Sequence, residues 1–156
     1  MASHVRQWVM HCLLSKSPIH GVRVMCNILV IDDERMILDV LQQALTIYGY
    51  NVETASRGSE GLRMFEVGSF DLVITDMLMP DIDGTEVARC IRGSDRPQTP
   101  IIAMSATPWL MNGNGFDFTI SKPFSIKSLM DAVKGLTLDP LDSDAGHLTN
   151  TPAKLQ

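Results

Sequence analysis

The chain lacks any cysteine framework. Cys12, Cys26 and Cys90 are odd in number, widely spaced and without a Cys-x-x-Cys pair. That pattern argues against disulfides and against structural zinc, and for reduced thiols in a cytosolic protein. Basic charge is also scarce, with 13 Lys and Arg against 18 Asp and Glu and a net charge of −5. Nucleic acid and anionic lipid are held by clustered cations, so neither is an expected partner. No apolar run is long enough to span a bilayer, which excludes membrane insertion by a helix. No internal repeat is visible. A chain of 156 residues suits one domain with a real core and leaves little for a second catalytic or DNA-binding module. The expected partner is a protein or a small molecule.

Residues 1–24 stand apart from the rest. Trp8, Val9, Leu13 and Leu14 faintly resemble the apolar region of a signal peptide, but His11 interrupts them and no small-residue cleavage site follows. Val5, Trp8, Val9, Cys12 and Leu13 fall at helical spacing and make one narrow apolar stripe. The stripe would form a short helix docked on the domain or on a second copy in a homodimer. The alternative is an unstructured extension, with Met25 as the functional start. His4, His11 and His20 are too irregularly spaced for a metal site.

From residue 25 the chain alternates two periodicities. Asn27 to Ile31 is an apolar run of strand length, and Met36, Ile37, Val40, Leu41, Ala44, Leu45 and Tyr48 predict a first helix that Gly49 ends. Tyr50 to Ala55 predicts a second strand, Ser56 to Gly58 a turn, and Leu62 with Phe65 a second helix. Phe70 to Thr75 reads as a third strand. Asp76 to Gly84 is a loop with Pro80 and the turn pair Asp83-Gly84, and Thr85, Val87, Ala88 and Ile91 open a third helix. Pro100 to Met104 and Phe116 to Ser121 are the fourth and fifth strands. Ser125 caps a last helix with Ile126, Leu129, Met130, Val133 and Leu136 inward. Residues 138–156, rich in Asp, Pro, Ser, Thr and Gly, predict a flexible tail.

Strands alternating with helices imply right-handed crossovers and a parallel sheet covered on both faces. Five such strands suggest a flavodoxin-like, doubly wound α/β fold in the order 2-1-3-4-5. That order sets the carboxyl ends of the first and third strands side by side, at the switch point where ligands bind in such sheets. Asp32 and Asp33 leave the first of these strands and Asp76 the third. Carboxylates gathered there repel one another unless a cation sits among them, and an all-oxygen donor set favours Mg²⁺. For Asp32-Asp33 alone, capping of the first helix is an equal explanation. Asp76 makes capping incomplete.

Four motifs in order, Ile31-Asp32-Asp33-Glu34, Asp76-Met77-Leu78-Met79-Pro80 with Asp83-Gly84, Ser105-Ala106, and Lys122-Pro123-Phe124, together resemble a response-regulator receiver domain of the CheY-like kind. The match runs from about Cys26 to Leu136, so the resemblance implies a receiver at residues 25–137. It implies that Asp76 is the phosphoacceptor, taking its phosphoryl group from a phosphohistidine on a histidine kinase or histidine phosphotransfer protein. A carboxylate suits that task because it is ionised at neutral pH and needs no base. The implied Mg²⁺ ligands are Asp33 and Asp76 directly, Asp32 through water, and the backbone carbonyl of Leu78. By the same resemblance Lys122 contacts a phosphoryl oxygen, the bond before Pro123 is cis, and Ser105 donates its hydroxyl after phosphorylation. Met77, Met79 and Met104 read as packing around the site.

The chain departs from that pattern between Ser105 and Lys122, where it is roughly five residues shorter, more than a helical turn. The fourth helix of the family must be short or missing, and Thr107 to Gly115, with Pro108, Gly113 and Gly115, predicts an irregular, mobile loop. The family's switch aromatic falls on Thr119, with Phe118 one place early, so a coupling from Ser105 to an aromatic does not carry over. The leading expectation is a stand-alone receiver acting as signalling switch or phosphorelay, losing its phosphoryl group to water and not an enzyme of turnover. One rival is a receiver-fold binding module that signals without phosphorylation. The other is a Mg²⁺-dependent aspartyl phosphohydrolase, which requires an Asp-x-Asp arrangement after the first strand where this chain has Asp32-Asp33-Glu34.

Overall fold

The computed structural model describes residues 25–107 and 115–137. The expectations for residues 1–24, for the loop at 108–114 and for the tail at 138–156 lie outside the described residues. In chain order the elements are β1 (Asn27–Ile31), α1 (Arg35–Ile47), β2 (Asn51–Ala55), α2 (Gly58–Val67), β3 (Leu72–Asp76), α3 (Gly84–Arg92), β4 (Ile101–Ser105), β5 (Phe118–Ser121) and α4 (Ile126–Thr137). The strands form one sheet in the order β2-β1-β3-β4-β5, with every neighbouring pair parallel. This is the flavodoxin-like order. Among the described residues four helices cover it, and the described flanks of the β4–β5 connection contribute none.

Strand alternation divides the core into two layers. Ile28, Val30, Leu72, Ile74, Ile102 and Met104 point toward α1 and α4, where Leu38, Leu41, Leu45, Leu129, Met130 and Val133 meet them. Leu29, Ile31, Val73 and Ile101 point the other way, onto Phe65 of α2 and Val87, Ala88 and Ile91 of α3. Because β1, β3 and β4 are buried on both faces, their sequences are continuous apolar runs.

The inward face of α1 differs from the expected one. Leu38, Leu41 and Leu45 line the core, whereas Met36 is 81% exposed and Val40 53%. The sequence places apolar residues almost all the way round this helix, so periodicity alone does not choose the buried side; the packing of Leu38 against β1 and α4 does. Gly49 ends α1 as expected, at φ +90°, with the Tyr50 amide reaching back to the Leu45 carbonyl at 3.1 Å. Ser125 caps α4 by accepting from the Ser128 amide at 3.0 Å.

Strand boundaries also shift by a residue or two. β3 starts at Leu72 and includes Asp76, and β4 starts at Ile101 and includes Ser105. Ladder partners decide this, since Asp76 pairs with Met104 and Ser105 with Ser121. The acidic and hydroxyl side chains therefore stand on regular strand ends.

Candidate functional site

Asp32 follows the last residue of β1, Asp76 is the last residue of β3, and β1 and β3 are adjacent. Their carboxylates converge on one cation. Lys122 Nζ lies 2.7 Å from Asp76 Oδ1 and 3.0 Å from Asp32 Oδ2. Lys122 is placed by the edge of the sheet, where its amide donates to the Ser105 carbonyl at 2.7 Å just after β5, and the Lys122–Pro123 bond is cis. The second carboxylate oxygens are held by backbone. Asp32 Oδ1 accepts from the Glu34 amide at 2.8 Å and Asp76 Oδ2 from the Leu78 amide at 3.0 Å.

Capping of α1 does not account for Asp32 and Asp33, because the residue at the helix start is Glu34 and no side chain caps it. Asp32 is wholly buried and Asp76 is 7% exposed. Burial raises the Asp32 carboxyl above its ordinary 3.8, and the like charge of Asp76 adds to this, against the Glu34 amide and the Lys122 ammonium. For Lys122 burial works against the charged form, but its hydrogen bonds to Asp76 and Asp32 outweigh it and raise the ammonium above 10.5. The trio is ionic and mutually dependent. Glu34, largely exposed, approaches Lys122 only to 3.9 Å and adds little.

The remaining residues sit around this trio without joining it. Asp33 is exposed beside Asp32, and no contact draws it to the other two. Ser105 is buried, but its Oγ is engaged by its own loop, accepting from the Thr107 amide at 3.0 Å and lying 3.2 Å from Thr107 Oγ1. Leu78 is 60% exposed at the mouth of the site. Met77, Met79 and Met104 are buried, Met104 in one core layer and Met79 in the other. Phe118 and Thr119 on β5 are both exposed.

Among the described residues no three acidic, His or Cys side chains form a ready-made metal cluster, since Lys122 draws two of the carboxylates to itself. The donor chemistry nevertheless fits a hard divalent cation. Asp32, Asp33, Glu34 and Asp76 outnumber the single Lys122, and every candidate ligand is oxygen.

One feature of the site has no local sequence signal. Asp81, in the loop after β3, accepts from the Gly58 amide at 3.2 Å, the Ser59 amide at 3.1 Å and Ser59 Oγ at 2.7 Å. It caps α2 from 22 residues away, because Arg57 at the helix start has no capping side chain. Those bonds, led by the Ser59 hydroxyl, hold the Asp81 carboxyl well below the usual carboxylate range. Asp83 caps α3 from the same loop by accepting from the Glu86 amide at 2.9 Å. The loop that carries Leu78 is thus pinned at both helices.

A lysine-bridged pair of strand-end aspartates at the switch point of a doubly wound parallel sheet defines a class of acidic-site α/β domain. A family model described as the response regulator receiver domain matches residues 28–134. The chain belongs to that family, which works in two-component signalling. Among curated relatives, the response regulator MprA of Mycobacterium tuberculosis is 34% identical over 125 residues, covering 78% of this chain and 54% of that protein. The probable transcriptional regulator ycf27 of Cyanidium caldarium is 36% identical over 115 residues, covering 70% of this chain and 45% of that protein. The chain spans about half the length of the curated relatives it matches. Two solved structures are similar. The response regulator TrrA of Thermotoga maritima, in complex with Mg²⁺-BeF, has TM-score 0.67 at 37% identity, covering 72% of this chain and 99% of its own. Chemotaxis response regulator CheY4 of Vibrio cholerae has TM-score 0.69 at 28% identity, with the same 72% and 99% coverage. Among the described residues no helix is long and apolar enough to cross a membrane.

Proposed function

We propose that this receiver accepts a phosphoryl group on Asp76 from a phosphohistidine of a histidine kinase or histidine phosphotransfer protein, and acts in the cytoplasm as a signalling switch or phosphorelay. The observation that carries the reading is the Lys122 ammonium held on Asp76 and Asp32 together. An Asp76 carboxylate oxygen attacks phosphorus. The new P–O bond forms as the P–N bond to the donor imidazole breaks, and the electron pair leaves with the imidazole. Lys122 pairs with Asp76 and holds it aimed, and offers its protons to a phosphoryl oxygen as charge builds there. Ser105 exchanges its contact with Thr107 for a phosphoryl oxygen, drawing residues 105–107 toward the site.

The residues to hold Mg²⁺ are Asp33 and Asp76 directly, Asp32 through water and the Leu78 carbonyl. When bound, the ion neutralises charge between the acceptor carboxylate and the phosphoryl oxygens and templates an in-line displacement.

The phosphohydrolase reading makes Asp32 the nucleophile. Against it, Asp32 is wholly buried where Asp76 keeps 7% exposure, and the segment after β1 reads Asp32-Asp33-Glu34 without the Asp-x-Asp arrangement. The stand-alone reading sends the output through protein contact. Several relatives are named transcriptional regulators, but they are about twice as long as the matched segment. The test is incubation with Mg²⁺ and a small-molecule phosphodonor, read by intact mass. One phosphoryl group is expected on the chain and none on Asp76→Asn; no adduct on the unaltered chain, or multiple turnover of phosphate esters, overturns the reading.

A further inference from the structure

Two strand ends of the site are bridged by a helix that carries no site residue. α2 lies directly on β1: Gly61 leaves no room for a Cβ against the Ile31 side chain, and Ile31 immediately precedes Asp32 and Asp33. Phe65 of the same helix is buried in the core layer shared with Ile31. The helix start meets the loop after β3 just as closely, since a Cβ at Gly58 would run into the Ile82 carbonyl and stand 2.9 Å from Ile82 Cβ. Asp81 locks that contact by accepting from the Gly58 amide, the Ser59 amide and the Ser59 hydroxyl. One packed element thus spans from the end of β1 to the loop that carries Leu78.

That loop needs an anchor outside the chemistry. Its base is closed by the Gly84 amide on the Met77 carbonyl at 3.0 Å, and Met79 tethers it to the core layer. Leu78 itself is mostly exposed, and its amide donates to Asp76 Oδ2, an atom of the carboxylate that reacts. Neither its packing nor that bond holds the Leu78 carbonyl while Asp76 changes partners. Asp81 does, three residues on, because its partners belong to α2 and take no part in the reaction.

We propose that Asp81 is a positioning residue for the cation: by tying the β3–α3 loop to α2, which rests on β1, it sets the gap between the Leu78 carbonyl and Asp33. This rests on the Mg²⁺ ligands proposed above. The opposite end of α2 supplies a control. There Arg96 donates to the Phe65 and Gly68 carbonyls, with its guanidinium 4.3 Å from the centre of the Phe65 ring. Arg96→Ala therefore loosens the same helix without touching the loop.

Amide NMR shifts of the isotope-labelled full chain, titrated with MgCl₂ and no phosphodonor, read the ion's affinity directly. Asp81→Ala should raise the Kd for Mg²⁺ about tenfold. Asp81→Asn, which keeps an acceptor oxygen for the α2 amides, should lie closer to the unaltered chain. Gly58→Ala, which pushes on Ile82 and changes no charge, should also weaken binding. Arg96→Ala should lower the thermal transition and leave the Kd where it was. An unchanged Kd in Asp81→Ala overturns the proposal, and so does an equal loss in Arg96→Ala, which makes the effect one of helix stability. Asp81→Asn as weak as Asp81→Ala, with Gly58→Ala unaffected, assigns the effect to charge and overturns it too. Should the unaltered chain show no Mg²⁺-dependent shift, the cation site itself falls, and the positioning role with it.

Discussion

Lys122 Nζ stands 2.7 Å from Asp76 and 3.0 Å from Asp32, so one partly buried ammonium answers two buried carboxylates from different strands. Its replacement in Lys122→Ala leaves both uncompensated. A loss on the order of 3 kcal/mol at neutral pH is expected, together with a sharp fall in phosphoryl uptake. Protonation relieves the exposed repulsion, so the stability gap to the unaltered chain should narrow as pH falls. Urea denaturation at neutral and mildly acidic pH checks this, and a gap independent of pH counts against the pairing.

Asp32→Asn keeps the shape and removes the buried charge. The folded Asp32 carboxyl sits above 3.8 through burial, so the folded state binds this proton more tightly than the unfolded chain. Ionisation therefore costs stability as pH rises through the window above 3.8. The Asn variant escapes that cost. Its Tm relative to the unaltered chain should climb between about pH 4 and about pH 7, by on the order of a few degrees. Calorimetry across that range reads the slope, and a flat difference would falsify the assignment.

Gly84 and Gly135 make an opposed pair. A Cβ at Gly84 would meet the Asp76 carbonyl at 2.5 Å and Met77 Cα at 3.0 Å, whereas at Gly135 it meets nothing within 4 Å. Gly84→Ala must displace the backbone under the acceptor aspartate, costing about 1–3 kcal/mol and slowing phosphoryl uptake. Gly135→Ala, inside α4, should stabilise by about 0.5–1 kcal/mol with uptake unchanged. Thermal melts and intact-mass time courses on both variants separate the two effects.

Asp81→Ala removes the remote cap of α2, a loss of about 1 kcal/mol. Since the folded Asp81 carboxyl lies below its unfolded value of 3.8, its contribution is present above 3.8 and fades as pH falls below it. Hydrogen exchange at the Gly58 and Ser59 amides should accelerate in the variant at neutral pH. Unchanged protection there means the cap does not hold the loop.

Much of this was legible in the chain. Continuous apolar runs at 27–31 and 101–104 announce strands buried on both faces, and the motif residues lie at strand ends because a doubly wound sheet puts its loops there. Lys122 was legible only as part of a motif; that it grips Asp32 as well as Asp76 follows from β5 sitting two strands from β3. Asp81 carries no signal, because its partners Gly58 and Ser59 are distant in sequence and brought close only by the packing of α2 beside the β3–α3 loop. The outward turn of Met36 and Val40 is not legible in the sequence because α1 has apolar residues on both sides, and burial is decided by what packs against a helix.

By itself, then, the sequence determined the element order, the parallel sheet and the identity of the acidic residues, since these depend on local periodicity and on which side chains terminate a strand. The tertiary structure decided the rest: that Asp32 and Asp76 share a lysine while Asp33 stays in solvent, that Ser105 rests on Thr107, and which side of α1 faces out. Each of those depends on distances between segments far apart in the chain, which only the closed sheet sets.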